Sequence, residues 1–249
     1  MSALYDTIGL NYASGRRTDP RIAKEIHAHL GRAKTVLNVG AGSGSYEPTH
    51  LKITAVEPSL ELIRQRPASD VIVVQAHAED LPFQGNTFDV ALAILIVHHW
   101  SNAQKGLSEM RRVTRGKIII FTFDPLATDF WLSDYLPELG TLDQKQMLSI
   151  ADFETVLGPV DRINVPIPHD CIDGLLCAYW CRPAAYLEPD VRRSMSSFSK
   201  ISNVTEGLQR LEDDIQTGEW ARKYSRFLDQ DSYDFGYHLV VTRDANQCR

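Results

Sequence analysis

The sequence predicts an α/β fold built on a doubly wound, seven-stranded, mostly parallel sheet with a helical lid. Apolar runs alternate with helical patterns from residue 36 to 125, as a parallel sheet requires. The first run empties into a glycine-rich turn, "VLNVGAGSGSYE" (Val36 to Glu47). The texture then changes: residues 170 to 232 are rich in Tyr, Trp and Arg and read as mostly helical, before a last apolar run returns to the sheet.

In chain order, "DPRIAKEIHAHLG" reads as a helix opened by Asp19 and Pro20 and closed by Gly31. "TVLNVG" is the first strand, and "KITAVEP" is the second, stopped by Pro58. "VIVVQA", "FDVALAILIV" and "KIIIFTFDP" are the third to fifth. Their near-continuous apolar runs predict strands covered on both faces. Between them "SLELIRQR" and "AQKGLSEMRRVT" have helical spacing, with Leu107, Met110 and Val113 on one face of the second. "LSIADFETVLG" is a further helix, "DRINVPIP" a sixth strand marked as an edge by its prolines, and "YHLVVTR" the seventh. The expected organisation is one domain over 1–249. Residues 1–35 precede a core at 36–125, 126–142 and 168–235 form the lid, and 143–167 and 236–244 supply the closing helix and strands.

The chain has 249 residues, enough to bury a sizeable core. A net charge of -6 disfavours a nucleic-acid partner. Arg111, Arg112, Arg115 and Lys117 cluster at a helix end, where they complement its dipole. The longest apolar run, "VALAILIV", has eight residues and is too short to span a bilayer. The N-terminus carries no signal-peptide pattern, so a cytoplasmic chain with reduced cysteines (171, 177, 181 and 248) is expected.

In an open α/β sheet, ligands sit beyond the carboxyl ends of the strands, beside the first loop. A dinucleotide site would want glycine or alanine at position 45, where this chain has Ser45. The Lys-Ser/Thr pair of a triphosphate loop is missing as well, so a phosphate ligand is disfavoured. Glu57 ends the second strand, where a carboxylate can accept hydrogen bonds from both ribose hydroxyls. Loop and carboxylate together indicate an adenosine-type ligand.

"VLNVGAGSGSYE", "AVEPS", "AHAEDLPF", "FDVALAILIVHHW" and "EMRRVTRGKIIIFTFDP" resemble, in order and spacing, the motifs of class I S-adenosylmethionine-dependent methyltransferases. The nearest group is the small-molecule, UbiE-like type (methyltransferase type 11), and the likeness covers about residues 1 to 125 plus the closing strands. It implies a Rossmann-like fold, S-adenosylmethionine as cofactor, and methyl transfer to a small molecule with release of S-adenosylhomocysteine. By the resemblance, Gly40, Ala41, Gly42 and Gly44 let the backbone approach the methionine part. Glu57 takes the ribose, with Pro58 and Ser59 shaping the turn. Ala78 offers its backbone N–H to adenine, and His77 stands where the family often has Asp. Glu79 organises its loop, while Phe83 and Ile96 or Val97 form apolar walls. In the N-terminal segment Tyr12 would cover the ligand and Arg16 would pair with its carboxylate. The link "YEPTHLK" departs from the family, leaving room for only a stunted helix.

A sulfonium is already activated, so the protein must position the acceptor, exclude water and remove any proton. "HHW" follows the fourth strand, and His98 or His99 is a candidate general base, the other holding the loop, with Trp100 as packing. Asp124 and Asp129 either touch substrate or cap the next turn. Cys177 and Cys181, four apart on one expected helical face with Cys171 and His169 nearby, open an alternative: an arsenite or thiolate methyltransferase. Their spacing is not that of a zinc site, and no metal is expected. Tyr179, Trp180, Tyr186 and Trp220 either line an aromatic pocket or form the lid core. The remaining alternative is a non-catalytic S-adenosylmethionine-binding protein. The motifs specify neither the methylated atom nor the oligomeric state.

Overall fold

A computed structural model describes residues 15–127 and 129–243. Tyr12 and Cys248 lie outside the described residues. The strands are β1 (Thr35–Val39), β2 (Lys52–Val56), β3 (Ile72–Val74), β4 (Val90–Ile94), β5 (Ile118–Phe123), β6 (Val160–Asn164), β7 (Ile167–Pro168), β8 (Ser232–Tyr233) and β9 (Tyr237–Thr242). Seven of them form one sheet in the order β3-β2-β1-β4-β5-β9-β6. β9 lies antiparallel between β5 and β6, and the other pairings are parallel. The order reverses between β1 and β4, which places a ligand crevice beyond their carboxyl ends.

The helices follow the apolar spacing. Asp19 caps α1 (Pro20–His27), its side chain accepting the Arg21 N–H, and Pro20 occupies a first-turn position where no N–H is needed. The helix stops at His27, earlier than Gly31, and the chain reaches that glycine through turns. Ser59 caps α2 (Leu60–Arg64), and Asn102 caps α3 (Ala103–Val113), which turns Leu107, Met110 and Val113 into the core. Next come α4 (Leu132–Tyr135), α5 (Glu138–Gln146) and α6 (Ile150–Leu157). A Ser149–Asp152 capping box starts α6. The lid holds α7 (Pro189–Arg193), α8 (Val204–Thr217), α9 (Glu219–Lys223) and short 3-10 turns. Among the described residues no helix is long and apolar enough to cross a membrane. Each sheet face carries its own buried cluster, one including Ile22, Leu92 and Phe121, the other Leu37, Ala91 and Ile120.

Four expectations are corrected. β3 is short and lies at the edge, so Ile72 is 64% exposed rather than covered. No helix at all forms between β1 and β2, where residues 40 to 51 run through turns. A groove of about 1170 Å³ remains in its place, lined by Leu51, Ile53, Arg66 and Ile72 among others. "DRINVPIP" divides into β6 and the separate β7, which pairs with β8, because Pro166 has no N–H to continue the ladder. Residues 171 to 182 form consecutive turns rather than a helix, so Cys177 and Cys181 do not share a helical face.

The lid is held by its aromatics. Trp131 packs edge-on against Tyr186 and Trp220, with ring centroids 5.5 and 5.2 Å away. Its indole N–H donates to the Trp180 carbonyl at 2.8 Å. Trp180, Tyr186 and Trp220 are all buried, which assigns them to the lid core. Gly207 lets α8 lie directly on the Tyr135 carbonyl and the Leu136 side chain.

Gly207→Ala pits a helix-propensity gain of about 1 kcal/mol against an overpacking cost of about 1–3 kcal/mol. A backbone carbonyl cannot move aside, so the expected net is a loss of about 1–2 kcal/mol, read as a lower melting temperature. A second expectation concerns acid. Burial pushes the Asp19 carboxyl up, but hydrogen bonds from Arg21 and the Ile172 N–H outweigh it and hold the pKa at about 2, below the ordinary 3.8. A folded pKa below the unfolded one adds stability above the unfolded value, here about 2 kcal/mol at neutral pH. About half of that is lost by pH 3 as the pH falls toward the folded pKa. Urea unfolding at pH 6 and pH 3 should therefore show a steeper acid loss in the wild type than in Asp19→Asn.

Candidate functional site

β1 leads into a loop that no helix supports, and side chains hold it instead. Gly40 has φ +70°, and a Cβ there would collide with the Ile96 side chain, so glycine is required. Arg66, just past α2, donates to the Gly42 carbonyl at 3.1 Å and forms an ion pair with Glu47 at 2.6 Å. Both members of that pair are nearly buried, at 6% and 9% side-chain exposure. Glu47 also accepts the Asn38 side-chain amide at 2.9 Å. That bond fixes which end of the amide faces Glu47, since a carboxylate only accepts.

Glu57 is buried at the end of β2. One oxygen accepts the Gly42 N–H at 2.8 Å and the other the Ser59 N–H at 2.9 Å. A carboxylate has about four acceptor positions, so backbone N–H donors and ligand hydroxyls can share one such group. A cavity opens here, lined by Asn38, Gly40, Ala41, Gly42, Ser43, Ser45, Glu57, Leu62, Ile94, Leu95, Ile96 and Arg16. The Asn38 Oδ1 is buried and has no hydrogen-bond partner among the described residues, in a wall of this cavity. An orphaned acceptor beside a glycine turn and a ribose-type carboxylate suits an adenosyl ligand that carries an amino group.

A second cavity adjoins the first, and Arg16 and Leu95 line both. Leu95 has φ +50°, a strained conformation for a branched side chain, directly after β4. The second cavity is walled by His98, His99, Phe123, Asp143, Met147 and Tyr237, and roofed by lid residues 174–176 and 194–197. His98 and His99 sit on a 3-10 turn (Val97–His99) with ring centroids 4.0 Å apart. Burial pushes both imidazoles down, His99 to about 3 and His98 well below its ordinary value, the latter also by His99 itself. The expected imidazole titrating near neutrality is thus replaced by two neutral rings that hold a proton poorly. Burial pushes the Asp143 carboxyl the other way, up to about 6.

One buried carboxylate ties these walls together. Asp173, in the lid, takes a two-pronged pair from Arg16 at 2.7 and 3.1 Å, and the Arg17 N–H at 3.2 Å. It also accepts the Tyr46 hydroxyl at 2.7 Å. Tyr46 is 1% exposed with φ +65°, so the glycine loop sends its one large side chain inward to meet the lid. Arg16 therefore reaches the border of both cavities in partnership with Asp173.

Of the expected site residues, Arg16, Gly40, Ala41, Gly42 and Glu57 meet at the first cavity, and His98 and His99 line the second. Gly44 stands behind the loop against Arg66. Val97 is core, and Ile96 takes the wall position. His77 is exposed past β3, and Ala78 is buried beside it, outside both linings. Pro58 lies in the turn after Glu57, its carbonyl accepting from Gln75. Phe83 packs edge-on against Phe88. Glu79 accepts the Ser101 hydroxyl and the Asn102 N–H, organising its loop as expected. Asp124 caps its turn and pairs with Arg162, and Asp129 bonds Tyr233, both away from the cavities. Cys171 and Cys177 are fully buried with thiols pushed up by burial, Cys171 to about 12, and neither lines a cavity. Cys181 is absent from that lining too, so no thiol meets the space beside the cofactor site, which leaves the thiolate alternative without support. Asn38, Tyr46, Leu95, Asp143 and Asp173 were not picked out by the motifs. Only Tyr46, an aromatic within a glycine turn, gave a visible signal.

Fold and site together define a protein that holds an adenosyl ligand at the switch point of its sheet. A methyltransferase-domain family model matches residues 37–121. A solved protein of Anabaena variabilis, described as a methyltransferase from an antibiotic biosynthesis pathway, superposes with a TM-score of 0.85 at 33% identity. That match covers 92% of this chain and 99% of the other. The 2-methyl-6-phytyl-1,4-hydroquinone methyltransferase 2 of rice is 29% identical over 125 residues, 46% of this chain and 36% of its own. The demethylmenaquinone methyltransferase of Renibacterium salmoninarum is 34% identical over 116 residues, 41% of this chain and 47% of its own. This chain spans less than half the length of these two curated relatives. The chain belongs to the S-adenosylmethionine-dependent methyltransferases, and S-adenosylmethionine is the cofactor.

Asp173→Ala strips the partner from a guanidinium that is 11% exposed. Removing one member of such a buried pair costs about 3–5 kcal/mol, which corresponds to a fall of about 10 °C in melting temperature. Calorimetry should also show weaker S-adenosylmethionine binding, since Arg16 and Tyr46 lose their common anchor.

Proposed function

We propose that this chain methylates a small molecule bound in the second cavity, beneath the lid. The supporting observation is the shared wall of Arg16 and Leu95, which brings an adenosyl site and a half-apolar chamber into contact. When bound, S-adenosylmethionine supplies an electrophilic methyl carbon. The acceptor's lone pair forms the new bond, and the old carbon–sulfur pair stays on sulfur to give S-adenosylhomocysteine. The chain's own residues bind and orient. Gly40, Ala41, Gly42 and Asn38 receive the methionine end, Asn38 Oδ1 accepting from the amino group, and Gly44 keeps the loop in shape. Glu57 takes the ribose, Pro58 and Ile96 flank the base, and His77 and Ala78 border its edge. Arg16 stands at the junction, and Tyr12, in segment 1–35, covers the ligand. Residues 126–142 and 168–235 act as the lid that excludes water.

Hydroquinones are the first acceptors to assay, because relatives of this chain are named for a hydroquinone and a menaquinone precursor. Titration calorimetry should show micromolar S-adenosylmethionine binding, weakened about 30-fold or more in Glu57→Ala by the loss of charge-assisted hydrogen bonds. Tight binding without S-adenosylhomocysteine formation across a broad acceptor panel would overturn the enzymatic reading in favour of a sensor.

A further inference from the structure

Asp143 is set where a carboxylate costs most. It lies in the last turn of α5, where the helix dipole disfavours negative charge. It is 7% exposed. Its nearest hydrogen-bond donor is the Gln146 side-chain amide, at a long 3.5 Å. Among the described residues its other oxygen has no hydrogen-bond partner, and the residue faces the second cavity. Three costs with no pairing cation in contact indicate a group kept for its chemistry rather than for stability.

The charged and titratable groups around it come from several elements. Lys200, after the turn Ser196–Ser199, spends its ammonium on Gln146 at 2.8 Å and acts on Asp143 only through space. The Cys177 thiol and the Tyr237 hydroxyl stand near it, and burial keeps both protonated. His98 and His99 share its cavity, and Arg16 is engaged with Asp173.

We propose that Asp143 is the catalytic base on the acceptor side, so that the cavity takes a small molecule, part apolar and part polar, whose methylated site carries an O–H or N–H. This rests on the reading of the second cavity as the acceptor site. The acceptor's proton passes to the free Asp143 oxygen, and the pair of the broken O–H or N–H bond stays on the acceptor as its nucleophilic lone pair. The methyl carbon and the sulfur pair are accounted for as above. A base that titrates near the working pH transfers protons efficiently. The carboxyl of Asp143 meets that condition better than the two neutral imidazoles do.

The test uses the full chain saturated with S-adenosylhomocysteine, with phenol and its ether anisole as probes, followed by ligand-observed NMR titration from pH 5 to pH 7.5. Phenol should bind the wild type about tenfold tighter at pH 7.5 than at pH 5, the gain of a charge-assisted hydrogen bond. The midpoint should lie near 6, where the Asp143 proton leaves. Anisole, with no proton to offer, should bind more weakly and without pH dependence. Asp143→Asn should flatten the phenol response while leaving S-adenosylhomocysteine affinity unchanged. Asp143→Glu should retain the response, and it carries the test if the Asn variant does not fold. No phenol binding to the wild type, or the same pH response in Asp143→Asn, would overturn the proposal. A failure of the acceptor reading would appear separately, as phenol binding with the predicted pH response but no methyl transfer to any acceptor.

Discussion

A single buried carboxylate, Asp173, fixes the positions of the three segments that enclose the site. It binds the segment before α1 through Arg16 and Arg17, the glycine loop through Tyr46, and its own lid segment through the Gly174 N–H. Taking such a charge out of water is costly, and an ion pair repays this only with good geometry and full hydrogen bonding. The two-pronged arginine and the tyrosine hydroxyl supply both. Asp19 repeats the arrangement nearby, capping α1 while accepting the Ile172 N–H from the lid. Neighbouring lid residues are thus tethered to the N-terminal side of the sheet at two points.

The sheet was legible because its signals are local. Apolar runs in β1, β4 and β5 match strands buried on both faces, and Ser59, Asn102 and Ser149 cap helices where the spacing begins. The cofactor crevice was partly legible for the same reason: Gly40 and Glu57 lie at strand ends, where sequence position fixes spatial position. The lid was less so. Its turns at 171–182 are held by contacts with Trp131 and Phe227, far away in sequence, and no period announces them. Asp143 and Asp173 were missed because burial, not residue type or spacing, distinguishes them from the many surface aspartates of an acidic chain. The boundary drawn at residue 142 also cut α5 before the turn that reaches the cavity.

The missing helix between β1 and β2 shows how a side-chain network can take over a structural task. A helix would support the glycine loop from behind and aim its dipole at the ligand. Here Arg66, Glu47 and Asn38 brace the loop, and Tyr46 bolts it to the lid. A phosphate ligand would miss that dipole. The Asn38 oxygen, an acceptor, stands in the wall instead, which suits a ligand bearing an amino group better than an anion.

The abbreviated link also bears on the order in which the chain assembles. Partners across β1 and β2 are 17 residues apart (Val39 with Val56), and across β2 and β3 18 apart (Thr54 with Ile72). Across β1 and β4 the separation is 54 (Val36 with Val90). Closing the shorter loop costs about 1 kcal/mol less in chain entropy. As the polypeptide emerges from the ribosome, β1, β2 and β3 leave the tunnel ahead of β4, so that side of the sheet can pair first. The half of the crevice that carries Glu57 and the glycine loop is then a template on which the rest of the sheet is laid down.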